Sequence, residues 1–306
     1  MVIAHLKTVI YACIINIIMC VPMHGITLVY NLRIAETTRT QLKHLVQKRH
    51  SIIAATPFAQ FRQLLKDAHE SAVGGLLTYI YMKEHFFARV NAAVGHVHAK
   101  SDTLNASFSR TQTDDILATV GYAFSVHEYL SMGASLHLGV PTHEDTSLQV
   151  VQLGTGHVGL GGQIDAAYSI SDSQAFMAAA RFIHFFPRNV RIMLNDVMQH
   201  FDFALGNAAD LYFTYQKNWG RQHQLEVGYN PTFLFDAHTE PPLPELMAQI
   251  NSTIHSFFGS YRYGFLIKNT YPSAIIIGTS IGVNPLPEQF GNTKIETVWF
   301  SWGINF

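Results

Sequence analysis

The sequence predicts an all-β chain: a transmembrane up-and-down antiparallel β-barrel of about twelve strands, with short helices in its N-terminal segment and long loops. Three observations lead there. Hydrophobic residues make up 48% of the 306-residue chain and charged residues only 13%, against roughly 25% charged in an ordinary soluble domain. Beyond the N-terminus no run approaches the roughly 18–20 apolar residues that a spanning helix needs. From Leu76 onward, runs of about ten residues alternate apolar with small or polar and then break. In hydrocarbon every backbone polar group must be satisfied internally, which leaves helices and closed barrels as spanning structures. A formal charge of −1 and no basic stripe exclude a nucleic-acid partner.

Lys7 is followed by the apolar run TVIYACIINIIMCVPM and by His24-Gly25. A basic start and an apolar stretch of this length predict an export signal over residues 1–25, leaving 26–306 as a single barrel domain. Cys13 and Cys20 both lie inside that signal, so the mature chain has no thiol for a disulfide or a metal site. TLVYNLRIAE then alternates as a strand. Residues 37–74 read as a helical plug or an external loop. Within them TPFAQFRQLLKDAHE offers Thr56 as an N-cap and Pro57 at the first helical position. Phe58, Phe61, Leu64, Leu65 and Ala68 then share one helical face.

The later runs justify the strands one by one: LLTYIYM, FARVNAAVG, ILATVGYAFS, YLSMGASLHLGV, GLGGQIDAAYSI, AFMAAARF, DLYFTYQKN, LEVGYNPTFLF, FFGSYRYGFLIK, SAIIIGTSIGVN and TVWFSWGINF. In the last, Val298, Phe300, Trp302, Ile304 and Phe306 fall on one face, and Thr297, Trp299, Ser301, Gly303 and Asn305 on the other. Connections alternate in length. Those near Lys83, His127, Asp172, Gly220 and Pro272 are short, whereas those over 98–114, 141–158, 187–208, 236–253 and 284–294 are long. Short periplasmic turns and long external loops produce this rhythm in an up-and-down barrel. Its phase puts the C-terminus on the periplasmic side and requires an outward strand before Leu76, which TLVYNLRIAE supplies. NVRIMLNDVMQHF and PPLPELMAQI show helical spacing inside long loops.

If the aromatic face meets lipid, then Arg89, Asn91, Gln163, Asp165, Arg181, Glu226, Asn230, Arg262 and Lys268 project inward and line a pore. An Arg or Lys on the lipid face near the midplane costs about 2–4 kcal/mol, which sets the assignment. Such a set reads as a selectivity ring or as a closed, salt-bridged interior. Phe58, Phe61, Leu65, Met193 and Met247 form a candidate hydrophobic capture site or plug, because apolar patches mark binding sites and Met adapts to irregular ligands.

The C-terminal WFSWGINF, with Phe300, Trp302, Ile304 and Phe306 at alternate positions, resembles the signal that barrel-assembly machinery reads on Gram-negative outer-membrane proteins. Over residues 74–306, SLHLGVPT followed by VVQLGTGHVGLGGQIDAAYSI resembles the barrel family of the MetA pathway of phenol degradation, and more distantly the FadL-type hydrophobic-compound channels. The resemblance implies an outer-membrane location and passive uptake of small hydrophobic or aromatic molecules. Its alternatives are a non-transporting surface anchor or adhesin, and an outer-membrane phospholipid hydrolase.

No catalytic set is expected. Outer-membrane phospholipases need His and Ser on a lipid-facing strand, and the Ser135/His137 pair falls on the lumen face. His96 and His98 read as strand-rim residues, because no third ligand stands at supporting spacing. The glycines around Gly154 precede an alternating strand rather than the helix that a phosphate cradle requires. No metal or cofactor is expected; the partners are outer-membrane lipid, the assembly machinery and a small solute.

Overall fold

The computed structural model describes residues 50–65, 68–83, 85–101, 106–113, 115–142, 156–194, 197–220, 222–240, 253–267, 271–284 and 293–305. The export signal, TLVYNLRIAE, PPLPELMAQI with Met247, Lys268 and Phe306 lie outside these residues.

The described elements are all strands: β1 (His50–Leu65), β2 (Ala68–Lys83), β3 (Phe86–Ser101), β4 (Ala106–Thr113), β5 (Ile116–His127), β6 (Leu130–Val140), β7 (Gly159–Ser171) and β8 (Gln174–Phe185). They continue as β9 (Arg188–Leu194), β10 (Val197–Ala204), β11 (Gly206–Trp219), β12 (His223–Phe235), β13 (His238–Glu240), β14 (Thr253–Ile267), β15 (Tyr271–Asn284) and β16 (Thr293–Asn305). Thirteen join one antiparallel sheet, and pairing of β2 with both β1 and β3 closes it. β4 pairs only with the upper half of β3, so twelve strands make the ring. β9, β10 and β13 form a separate three-stranded sheet at the loop end.

Twelve strands agree with the sequence pattern, but the first of them is not the expected one. The outward strand before Leu76 is β1, which pairs with β2. The helix expected from Thr56 onward is therefore replaced by strand, because the segment pairs with β16 on one edge and β2 on the other. Phe58 consequently faces inward and Phe61 outward rather than sharing a face. The helix expected over NVRIMLNDVMQHF is likewise the β9–β10 hairpin, with Val197 opposite Leu194 and Phe203 opposite Arg188. In both places backbone pairing outweighs a side-chain spacing that fits a helix.

Period-two alternation sorts the wall into two faces. Outside stand large apolar side chains such as Leu136 at 63% exposed, Ile164 at 62% and Phe257 at 59%. An apolar belt of this extent is not tolerated against water, and it matches the lipid-facing band of a membrane barrel. Inside stand buried small, polar and aromatic residues. Four inward aromatics lie over a glycine directly opposite: Phe58 over Gly74, Trp299 over Gly278, Phe258 over Gly228 and Phe87 over Gly121. A Cβ at any of these glycines would collide with the ring. The absent side chain lets each ring fold flat against the wall.

Two central-strand prolines interrupt single ladders. Along β1–β16 the register passes from Ala55↔Trp302 to Phe58↔Trp299, skipping Pro57. Along β11–β12 it passes from Asp210↔Thr232 to Phe213↔Tyr229, skipping Pro231. Proline has no N–H to donate, and a side chain bridges each gap. Thr56 Oγ1 donates to Ser301 Oγ at 2.9 Å, and Asn230 Nδ2 donates to the Leu211 carbonyl at 2.8 Å.

Candidate functional site

The inward row at mid-height is built by register. Gly121, Ser135, Gln163, Arg181, Asp210 and Thr232 stand side by side on β5, β6, β7, β8, β11 and β12. Arg181 Nε donates to Asp210 Oδ2 at 2.7 Å, and Thr232 Oγ1 donates to Asp210 Oδ1 at 2.5 Å. The Tyr212 ring lies 5.7 Å from the Arg181 guanidinium. In the neighbouring row Arg89 Nη2 donates to Thr119 Oγ1 at 3.5 Å, Thr119 Oγ1 lies 3.0 Å from His137 Nδ1, and His137 Nε2 lies 3.2 Å from Ser135 Oγ. Low dielectric strengthens such a network, and each group left unmatched in it is costly.

Of the expected pore-lining set, Arg89, Asn91, Gln163, Asp165, Arg181, Glu226 and Asn230 face inward and are buried. Arg262 is half-buried toward the turn end, where its Nη1 donates to Gln224 Oε1 at 3.2 Å. Asn230 also repairs the β11–β12 ladder, a task invisible without knowing which carbonyl Pro231 leaves unmatched. Asp210, Thr119 and Thr232 complete the networks and escaped the sequence reading. Asp210 opens the DLYFTYQKN run, so inward phase was the available signal.

Of the expected hydrophobic capture group, Phe58 and Phe61 are not brought together. Phe58 lies in the lumen, Phe61 is 54% exposed on the outer wall, Leu65 ends β1 and Met193 lies in the loop-end sheet. Helical spacing had placed them on one patch, and strand pairing separates them. Phe300 and Trp302 do share the exposed outer face, with Ile304 half-buried beside them.

At the loop end Phe201, Phe203 and Leu205 are fully buried, and Phe203 meets His157 edge-on at 5.1 Å. His157 Nδ1 donates to the Phe186 carbonyl at 2.9 Å, while Asp115 Oδ2 accepts from the Gly156 N–H at 3.1 Å. Burial, then the Arg188 charge, hold the His157 imidazole down to about 3, against the opposing effect of its bond to Phe186. His96 bonds Thr111 and Ser109 on the outer rim. Among the described residues no cluster of His, Cys, Asp or Glu could hold a metal ion.

Comparison with solved structures places this ring among known architectures. An outer membrane channel from Pseudomonas putida F1 superposes with a TM-score of 0.61 at 11% identity, covering 84% of this chain and 95% of that one. The chain shares the fold of outer-membrane channels. The toluene transporter TbuX from Ralstonia pickettii superposes with a TM-score of 0.50 at 11% identity, covering 89% of this chain and 92% of that one. No protein-family model and no curated protein sequence matches. At such identities the shared feature is the channel fold, and what passes must be argued from this lumen.

Proposed function

We propose that the chain is an outer-membrane channel for passive uptake of small hydrophobic or aromatic molecules. The observation that carries the reading is the closed twelve-strand ring whose TM-score with an outer membrane channel is 0.61. Support comes from the apolar outer belt and from aromatic rings laid flat inside it. Solute would move down its gradient through the lumen, with no chemistry performed on it. The exposed Phe300 and Trp302 near the chain end fit the reading that barrel-assembly machinery inserts the chain after its export signal is removed. A hydrolase reading loses its motivation, because Ser135 and His137 are buried on the lumen side.

The buried Arg181–Asp210 pair supports a second reading, in which the lumen is sealed and the barrel serves as a surface anchor. Single-channel conductance of the refolded mature chain in a planar bilayer, paired with uptake by cells expressing it, separates the two. Conductance steps or accelerated uptake of an apolar solute support the channel. A folded barrel that neither conducts nor accelerates uptake supports the anchor.

A further inference from the structure

The lumen wall is one-sided. Its buried charges Glu70, Arg89, Asp165, Arg181, Asp210 and Glu226 belong to β2, β3, β7, β8, β11 and β12. These strands lie on one continuous arc, in the order β12-β11-β8-β7-β6-β5-β3-β2. The arc formed by β15, β16 and β1 presents Ile276, Gly278 and Ser280, then Ile295, Thr297, Trp299 and Ser301, then Ala54, Thr56, Phe58 and Gln60. None of these is charged. Phe58 and Trp299 stand opposite one another in the β1–β16 ladder, each flat over its glycine. Phe58 carries no polar atom and the Trp299 ring lies over Gly278, so the pair presents an apolar surface.

Hydrogen-bonding capacity divides in the same way. On the neutral arc the polar groups consume one another: Thr56 donates to Ser301, and Gln60 Nε2 donates to Thr297 Oγ1 at 3.1 Å. On the charged arc several buried atoms have no hydrogen-bond partner among the described residues: both amide atoms of Asn91, Gln163 Oε1 and Asp165 Oδ1. These side chains are between 2% and 7% exposed. Buried polar groups are ordinarily matched, and an unmatched one marks where water or a ligand group is expected. Ser169 Oγ and Gln224 Nε2, toward the turn end of the same arc, are also unmatched. Around Asn91, Gln163 and Asp165 three acceptors stand against one donor, which suits a solute that donates a hydrogen bond.

Resting on the channel reading, we infer that the lumen selects neutral amphipathic molecules, a flat apolar body bearing one hydrogen-bond-donating group, over plain hydrocarbons. Such a molecule lays its body on the Phe58–Trp299 surface and turns its polar group to Asn91, Gln163 and Asp165. A hydrocarbon fills the same space and leaves those atoms unmatched. An anion meets the carboxylates of Asp165 and Glu226 on the same arc.

The test uses the full chain expressed in a Gram-negative host whose lipopolysaccharide leaflet slows apolar solutes. Initial uptake of radiolabelled benzyl alcohol and toluene, alike in size and differing in one hydroxyl, is measured for the unaltered chain, Asn91→Leu and Gln163→Leu. Barrel folding is verified for each by its heat-modifiable mobility on gels. Each variant is expected to lower benzyl alcohol uptake about ten-fold, the equivalent of about 1.4 kcal/mol for one hydrogen bond, while toluene uptake stays within about two-fold. If both variants accelerate both solutes in the same ratio as the unaltered chain, the oriented-solute inference is overturned and the channel reading survives. If the folded, unaltered barrel accelerates neither solute, the channel reading falls and the inference with it. Should one variant fail to fold, the other carries the comparison.

Discussion

Asp210 is buried and holds two partners. Arg181 is buried, and its charge is answered by Asp210, which also accepts from Thr232. Such a pair is weak evidence for stability, but removing one member strands the other. Asp210→Ala is expected to destabilise the barrel by about 3–5 kcal/mol, read from urea titration of the chain folded in vesicles. Replacing both by leucine should recover much of that loss, which a mere volume effect at position 210 would not. Asn230→Ala leaves the Leu211 carbonyl without its donor and is expected to cost about 1–3 kcal/mol in the same assay. His157 adds a pH dependence outside the membrane. Its folded value of about 3 lies below the ordinary imidazole value of 6.5, so the unfolded segment takes up a proton first as pH falls. The stability that the buried neutral ring contributes is whole above 6.5 and is lost progressively toward 3. Proteolysis of the β9–β10 hairpin should accelerate over that window, and His157→Phe should flatten the dependence.

At the scale of an element, inward glycines decide how the strands fit. Gly278 and Gly228 lie under Trp299 and Phe258, so a methyl group added there pushes a ring off the wall. Gly278→Ala and Gly228→Ala are each expected to cost about 1–3 kcal/mol by overpacking. Gly75, where an added Cβ meets open space, serves as the control, and Gly75→Ala should leave the urea midpoint nearly unchanged. The β1 strand shows the limits of local signals. Thr56, Pro57 and the spacing of Phe58, Phe61 and Leu65 suit a helix start, yet β1 pairs along both edges. Pro57 is tolerated because only one ladder is interrupted and Thr56 bridges it to Ser301.

For the whole molecule, the two faces of the wall obey opposite rules. Ile164→Arg places a charge on the lipid side, where about 2–4 kcal/mol is lost near the midplane. Ser280→Arg places the same charge inward, on the neutral arc, and should disturb solute passage more than stability. Refolding yield into vesicles against uptake rate distinguishes the two effects. The strand order also explains why the lumen is one-sided: the buried inward charges lie on strands from β2 through β3 to β12, with half-buried Arg262 on β14, and closure brings the uncharged buried positions of β15, β16 and β1 together as a block. Charge placement along the chain thus becomes charge placement around a ring.

The amino-acid order alone determined the strand rhythm, a count of twelve reached with TLVYNLRIAE in the place that β1 fills, the inward and outward faces and most of the polar lining. These follow from period-two alternation and from the cost of polar groups in hydrocarbon, both local properties that a single strand carries. Tertiary structure decided what depends on a partner strand. One edge of β1 is satisfied by β16 and one edge of β10 by β13, both distant in sequence, and Phe58 and Phe61 end on opposite faces because β1 is a strand. Asp210 becomes the partner of Arg181, and Asn230 the repair of a proline gap, only through register. Register is set by closure of the whole ring, because a one-residue slip in any ladder would turn an entire strand's apolar face from lipid to lumen.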